Sequence, residues 1–343
     1  MHLGIRSEVD TREGRVAATP QSVGSLIEAG ATVSVETGAG LGSGISDDSY
    51  IEAGASIVNT LAEAGRIDIL ARVGPVSDSD VELLHRGSVV VGMLDPGANA
   101  NTLERLADRG VTAVAMELVP RTTLAQSMDA LSSQATAAGY AAVLLGATSM
   151  PKFMPMLVTA AGTVPPARVL ILGVGVAGLQ AIATAKRLGA IVTAYDIRPE
   201  TKEQVESLGA KFIDAPTQQM DAGGYARAVD DETAATQRDV LASAVAESDL
   251  VITTAQVPGK RAPVLIDAAT VNQMSAGSII IDMAAGSGGN VEGSVADEVV
   301  MVNGVSIHGP TDLASRVAAD ASRMYARNIL EIVKRMIVEG SLS

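Results

Sequence analysis

The stretch 168–198, RVLILGVGVAGLQAIATAKRLGAIVTAYDIR, leaves a chain little choice in how it folds. An apolar run of strand length (169–172) meets a glycine cluster. An alanine-rich segment of helical length then reaches Gly189, and a second apolar run ends at Asp196. The cluster Gly173-Val174-Gly175-Val176-Ala177-Gly178 has the G-x-G-x-x-G spacing. In such a turn the first glycine permits the tight bend, the second lets a pyrophosphate approach the backbone, and the third lets helix and sheet pack closely. The phosphates rest on unpaired N–H groups at the positive end of the helix, here opened by Val176 and Ala177. Asp196 stands where a carboxylate accepts hydrogen bonds from an adenosine ribose, with Ile197 and Arg198 following it. An anion there repels a 2′-phosphate and favours NAD(H) over NADP(H), a preference that Arg198 tempers. A glycine-rich turn can be mere packing, but with strand, helix, strand and acid in register this one reads as a dinucleotide site.

The rest of the chain sets bounds on that reading. At 343 residues, 47% hydrophobic and 19% charged, it has material for two globular domains. With no Trp, and with Phe153 and Phe212 as its only phenylalanines, its cores must be aliphatic and alanine-rich. A formal charge of −14 argues against nucleic acid or an anionic membrane as a direct partner, though it identifies no substrate. The absence of cysteine excludes disulfides, a thiolate nucleophile and zinc–thiolate sites. The start, MHLGIRSEVD, lacks the apolar run of a signal peptide. Two uncharged runs, 130–151 and 169–185, resemble buried α/β elements more than the ~20 lipid-facing residues of a membrane span.

Along the chain, short β-rich runs alternate with amphipathic segments. Strands are expected at 3–6, 32–36, 67–73, 88–93 and 111–115, and helices at 21–29, 47–53, 79–86 and 98–109. That alternation specifies parallel strands covered on both faces. The expected fold class is α/β: two doubly wound parallel-sheet domains, the second a Rossmann dinucleotide-binding domain, linked by long helices. The glycine-rich segment 38–44 lacks the helix entry of a dinucleotide turn and reads as a loop, with approach to a ligand as the alternative. Residues 122–147 predict one long apolar helix, a buried strut between domains. Second-domain strands are expected at 169–173, 191–196, 211–213, 249–254, 278–283 and 299–308. The final helical segment, 311–338, is expected to return to the first domain. The domains are therefore 1–125 plus 313–343, and 126–312. The connection 214–230 exceeds the about 12–15 residues usual for structureless loops, so it is either a lid, hinged at Gly223-Gly224 and carrying Tyr225, or plain surface variability. The clusters Asp230-Asp231-Glu232 and Asp78-Asp80 lack any accompanying histidine, so no metal is expected.

With those residues in view, the chain resembles the NAD(H)-binding component, the soluble part of the alpha subunit, of proton-translocating NAD(P) transhydrogenases. More distantly it resembles alanine dehydrogenase. The resemblance is carried by PRTTLAQSMDALSSQ (120–134), TAAGTVPPARVLILGVGVAGLQAIATAKRLGA (159–190), TKEQVESLGAKF (201–212), the loop 223–226, ITTAQVPGKRAPVLI (252–266) and TDLASRVAADAS (311–322). It implies a Re/Si-specific hydride transfer between NADH and NADP⁺ held on a partner subunit, active only with its partners. It further implies a homodimer and a cytoplasmic position, peripheral to the inner membrane through membrane subunits. It also implies that Arg121, Gln126 and Asp129, with Ser127, Met128 and Ser132 beside them, wrap the nicotinamide end of the cofactor. Gly224 and Tyr225 match the family's mobile loop, and Thr254, Ala255 and Gln256 line the cofactor pocket. The alternative for Arg121 and Asp129 is an ordinary helix-start ion pair. Two positions depart from the pattern: Gly286 stands where the family usually carries an acid, and Ala314 where proline is common.

A stand-alone alanine-dehydrogenase-like enzyme is the competing reading, because Arg15 matches that relative's substrate arginine. Its oxo-acid chemistry requires a proton donor. Arg72 replaces its lysine, however, and 92–95 lacks its histidine. The only histidines are His2, His85 and His308, of which His85 reads as solvated on a helix and His308 as a packed loop residue. A non-catalytic NAD-binding module is the third possibility, against which the intact 121–129 segment argues.

Overall fold

Runs such as TVSVE and VVVG are too short for helices and too β-branched to favour them, and each becomes a strand buried by neighbouring helices. The computed structural model describes residues 1–214, 231–256, 260–338 and 341–342. The chain opens with β1 (His2–Ile5), α1 (Pro20–Glu28), β2 (Thr32–Glu36), α2 (Asp47–Glu52), β3 (Ser56–Val58), β4 (Ile69–Ala71), α3 (Asp78–Leu83), β5 (Val89–Gly92), α4 (Ala100–Asp108) and β6 (Thr112–Ala115). The strands form one parallel sheet in the order β3-β2-β1-β4-β5-β6. Strand β3, absent from the expected set, is a three-residue edge strand too short to announce itself by alternation.

Helix α5 (Ala130–Ser149) begins later than the predicted 122–147 helix. Residues Thr123–Met128 form a 3₁₀ turn instead, and Asp129 interrupts it with a non-helical ψ of 85°. The side chain of Asp129 accepts the Ser132 N–H at 2.9 Å, which starts a new helix there. The chain continues through the hairpin β7 (Leu157–Thr159) and β8 (Gly162–Val164), then β9 (Arg168–Leu172), α6 (Val176–Arg187), β10 (Ile191–Tyr195), α7 (Thr201–Ser207) and β11 (Lys211–Phe212). Next come α8 (Asp231–Ala246), β12 (Leu250–Thr253), α9 (Ala268–Val271), β13 (Ile279–Asp282), β14 (Val299–Val302) and β15 (Val305–His308). These build a second sheet, β11-β10-β9-β12-β13-β15-β14, parallel except at its edge.

The single strand expected at 299–308 is a hairpin. Asn303 (φ 48°) and Gly304 (φ 83°) turn the chain back, so that β14 runs antiparallel to β15. Asn-Gly is the preferred pair for a two-residue turn with positive φ at both positions. Helix α10 (Ala318–Met336) carries its apolar stripe, including Tyr325, Ile329, Ile332 and Val333, into the core of the first sheet. A two-residue hairpin, β16 (Ile337–Val338) and β17 (Ser341–Leu342), follows it. Contacts divide the chain into one unit of Met1–Ala137 with Ala314–Ser343 and another of Ala138–Leu313, the first division falling inside α5. Both units are doubly wound α/β sheets. Among the described residues no helix is long and apolar enough to cross a membrane.

Candidate functional site

In the second unit the strand order reverses between β9 and β12. Open α/β sheets bind ligands at such a point, beyond the carboxyl ends of the strands. There Gly173 bends the chain at φ 98°. A Cβ on Gly178 would lie 2.0 Å from the Gly173 carbonyl oxygen, so only glycine lets α6 start this close to β9. Around Gly175 the situation is the opposite: a Cβ would meet nothing within 4 Å, and the residue is exposed. It caps α6 with no side-chain hydrogen bond, so the opening turn at Val176 and Ala177 carries no side-chain cap. An uncapped helix start behind an open, Cβ-free turn fits a phosphate.

Asp196, at the end of β10, is buried, and both of its oxygens are engaged. Oδ2 accepts the Val174 N–H at 2.7 Å and Arg198 Nη2 at 3.0 Å, while Oδ1 accepts Arg198 N at 2.9 Å and Nε at 3.0 Å. Burial alone would raise its pKa, but the hydrogen bonds from Arg198 and the Val174 N–H outweigh it and hold the carboxyl below its ordinary range. Arg198 also donates to the Val174 carbonyl at 3.2 Å. The acid and the arginine thus brace the glycine turn as well as standing beside it. Ile197 is exposed.

The segment after β12 lies against that turn. Thr254 Oγ1 donates to the Gly173 carbonyl at 3.0 Å, and the amide of Gln256 donates to the Met283 carbonyl at 2.8 Å. Between them, Ala255 is held by Asn290, whose Oδ1 accepts the Ala255 N–H at 3.0 Å and whose Nδ2 donates to the Ala255 carbonyl at 2.8 Å. Asp282 closes β13, fully buried, and accepts from Thr253 Oγ1, Ala284 N and Asn290 N. Asp282 was not singled out from the sequence, although an acid ending the apolar run SIIID was a signal to be read. Gly286 adjoins Thr311, with 3.2 Å between its hypothetical Cβ and the threonine methyl. Gly224 and Tyr225 lie outside the described residues.

In the first unit the 121–129 segment is anchored to α10. Buried Asn328 donates to the Ser127 carbonyl at 2.8 Å and accepts from Ser133 Oγ at 2.7 Å. Asp129 takes Ser132 through both its N–H and its Oγ (2.6 Å), whereas the exposed Arg121 stands at 3.9 Å. The firm bonds of Asp129 are therefore those of a helix cap, and the arginine adds a long surface pair. Met128 packs against the core, while exposed Gln126 lines an open pocket of about 460 Å³ with Thr123, Ser127, Ser133, Met324, Arg327 and Asn328. Asn328 escaped the sequence reading because its partners come from residues 127 and 133.

Other candidates resolve as structure. Within 38–44, Gly42 is pressed on Gly14, and Ser43 bonds the Gly14 carbonyl at 2.8 Å and Ser322 Oγ at 2.7 Å, so the glycines there serve packing. His85 follows α3 instead of lying on it, and shares Ser88 Oγ at 2.8 Å. His308 pairs with Ser306 Oγ at 3.2 Å.

Parallel doubly wound sheets, with an open glycine turn at a strand-order reversal and an acid closing the next strand, define the architecture of dinucleotide-dependent dehydrogenases. Family models described as "Alanine dehydrogenase/PNT, N-terminal domain" and "Alanine dehydrogenase/PNT, C-terminal domain" match residues 4–138 and 142–343. The chain belongs to the alanine dehydrogenase/PNT family. It is 47% identical over 343 residues to the first of the polypeptides that make up NAD(P) transhydrogenase subunit alpha in Rhodospirillum rubrum, covering 97% of this chain and 89% of that one. Alanine dehydrogenase of Bacillus subtilis is 32% identical over 295 residues, covering 85% and 72% of the two chains. A transhydrogenase crystal structure from Sinorhizobium meliloti superposes with a TM-score of 0.91 at 45% identity, covering 98% of this chain and 93% of that one.

Proposed function

We propose that this chain is the NAD(H)-binding subunit of a proton-translocating transhydrogenase. In this reading it passes hydride directly between NADH and NADP⁺ held on a partner subunit, and a membrane partner couples that step to proton movement. A homodimer, peripheral to the inner membrane through its partners, belongs to the same reading. The observation that carries it over oxo-acid reduction is the state of two arginines. Arg15 is bound to Glu13 (Nε–Oε1 2.7 Å) and to Gln134 (2.8 Å), and Arg72 is buried between Glu8 (2.9 Å) and Asp80. Burial works against both cations, yet the charge and hydrogen bonds of these carboxylates raise their pKa values. Their charge is spent within the protein, whereas the glycine turn stays open.

When bound, the nicotinamide supplies the hydride at C4. The protein supplies approach and orientation, and the step needs no acid or base from it. Gly173, Gly175, Val176, Ala177 and Gly178 take the phosphates, and Asp196 with Ile197 and Arg198 takes the adenosine end. Thr254, Ala255 and Gln256 wall the pocket, with Gly224 and Tyr225 closing over it. Gln126 orients the nicotinamide end, supported by Arg121, Ser127, Met128, Asp129 and Ser132. A mixing assay tests the proposal. The chain plus the NADP(H)-binding component exchanges hydride between NADH and an NADP⁺ analogue, and the chain alone leaves pyruvate with ammonium unreacted. Turnover of the oxo acid by the chain alone reverses the assignment.

A further inference from the structure

We infer that Asn290 is a positioning residue for the cofactor: its buried carboxamide holds Ala255, and with it the 254–256 segment, against the glycine turn. Asn290 is fully buried, and its amide is saturated by the Ala255 N–H, the Ala255 carbonyl and the Pro263 carbonyl, the last at 2.8 Å. A side chain that satisfies both backbone groups of one distant residue sets that residue's position in every direction a hydrogen bond resists. Asn290 is itself placed by Asp282, which accepts its N–H at 2.9 Å, the Val291 N–H at 3.3 Å and the hydroxyl of Thr253 at 3.0 Å. One buried carboxylate therefore ties the end of β12 to the loop that carries Asn290.

The consequence for the site is steric. The Ala255 nitrogen lies 3.2 Å from the place a Gly173 Cβ would occupy, so the segment already touches the turn and cannot move inward. Outward movement is what Asn290 prevents. Because both backbone groups of Ala255 are engaged, this residue offers a cofactor only its Cα–Cβ face. Its part in the pocket is a wall whose distance from the turn is set by residue 290.

The inference rests on the NAD(H)-binding reading, and the test separates the two. NADH is titrated by fluorescence into the intact chain and into Asn290→Ala, Asn290→Asp and Ser278→Ala. Ser278 donates a buried hydrogen bond to the Ser248 carbonyl at the opposite ends of the strands and reports general loosening. Asn290→Ala leaves three backbone groups unpaired and is expected to weaken NADH binding about tenfold or more. Ser278→Ala keeps wild-type affinity. In Asn290→Asp a carboxylate faces two carbonyls. Burial raises its pKa, so binding is weak near about pH 8 and recovers toward about pH 6 as the acid protonates and donates again. Wild type shows no such recovery. If wild type itself fails to bind NADH, the functional reading falls. If wild type binds and Asn290→Ala equals it, or Ser278→Ala loses as much, or Asn290→Asp is equally weak at both pH values, the assignment of Asn290 alone falls. Should the alanine variant not fold, the pH response of Asn290→Asp decides.

Discussion

The Asp196 carboxylate accepts the Val174 N–H at 2.7 Å, so the acid that ends β10 also closes the glycine turn that follows β9. Residues 22 positions apart thus form one unit, and Arg198 fills the remaining positions on the same carboxylate.

This pairing gives Asp196 a share in stability with a definite pH window. Its folded pKa is depressed below the unfolded value of about 3.9, so its contribution is fully present above that value and is lost as pH falls through the folded pKa. Asp196→Asn is expected to lower stability at neutral pH by about 1–2 kcal/mol. The gap from wild type should close below about pH 4, as read by urea denaturation across pH. The same substitution weakens NADH binding if the carboxylate also serves the ribose, and calorimetry reads that separately.

A Cβ on Gly139 would lie 2.2 Å from the Ala177 carbonyl oxygen, so α5 crosses the opening turn of α6 at backbone contact. Helix propensity alone predicts that Gly139→Ala gains about 1 kcal/mol. The clash is backbone against backbone and cannot be relieved by a rotamer. The expected outcome is a loss of about 1–3 kcal/mol in denaturant unfolding, with weaker NADH binding because the turn is displaced.

Arg72 is 2% exposed between Glu8 and Asp80, and Asp80 also binds Arg6. Removing the guanidinium strands two buried carboxylates. Arg72→Ala is therefore expected to cost about 3–5 kcal/mol, measured by thermal and urea unfolding, far more than loss of an exposed pair such as Arg12–Asp10.

Gln126 has an exposed side chain on a segment whose backbone is fixed by Asn328. Gln126→Asn shortens the reach of the amide without disturbing the glycine turn. Hydride exchange with the NADP(H)-binding component should slow by up to about 100-fold while NADH affinity holds. A parallel loss of binding in titration would remove the orienting role.

How far these features were legible depends on how local they are. The antiparallel edge was written as Asn303-Gly304 and went unread, because the flanking residues form one continuous apolar run. The split of 122–147 into a 3₁₀ turn and a helix turned on Asp129 acting as a cap, a role that an aspartate beside Ser132 and Ser133 permits but does not compel. Asn328 and Asn290 were beyond reach: the hydrogen bonds that give them meaning span 201 and 35 residues.

The sequence by itself determined the two parallel sheets and the glycine turn, because strand and helix periods and the Cβ-free bend are properties of neighbours along the chain. Tertiary structure alone decided that Arg15 and Arg72 are neutralised, that the glycines at 38–44 serve packing, and that Asn290 holds Ala255. Each of these depends on which distant polar group is buried beside which. A buried donor or acceptor must find a partner, but the chain does not state where along its length that partner lies.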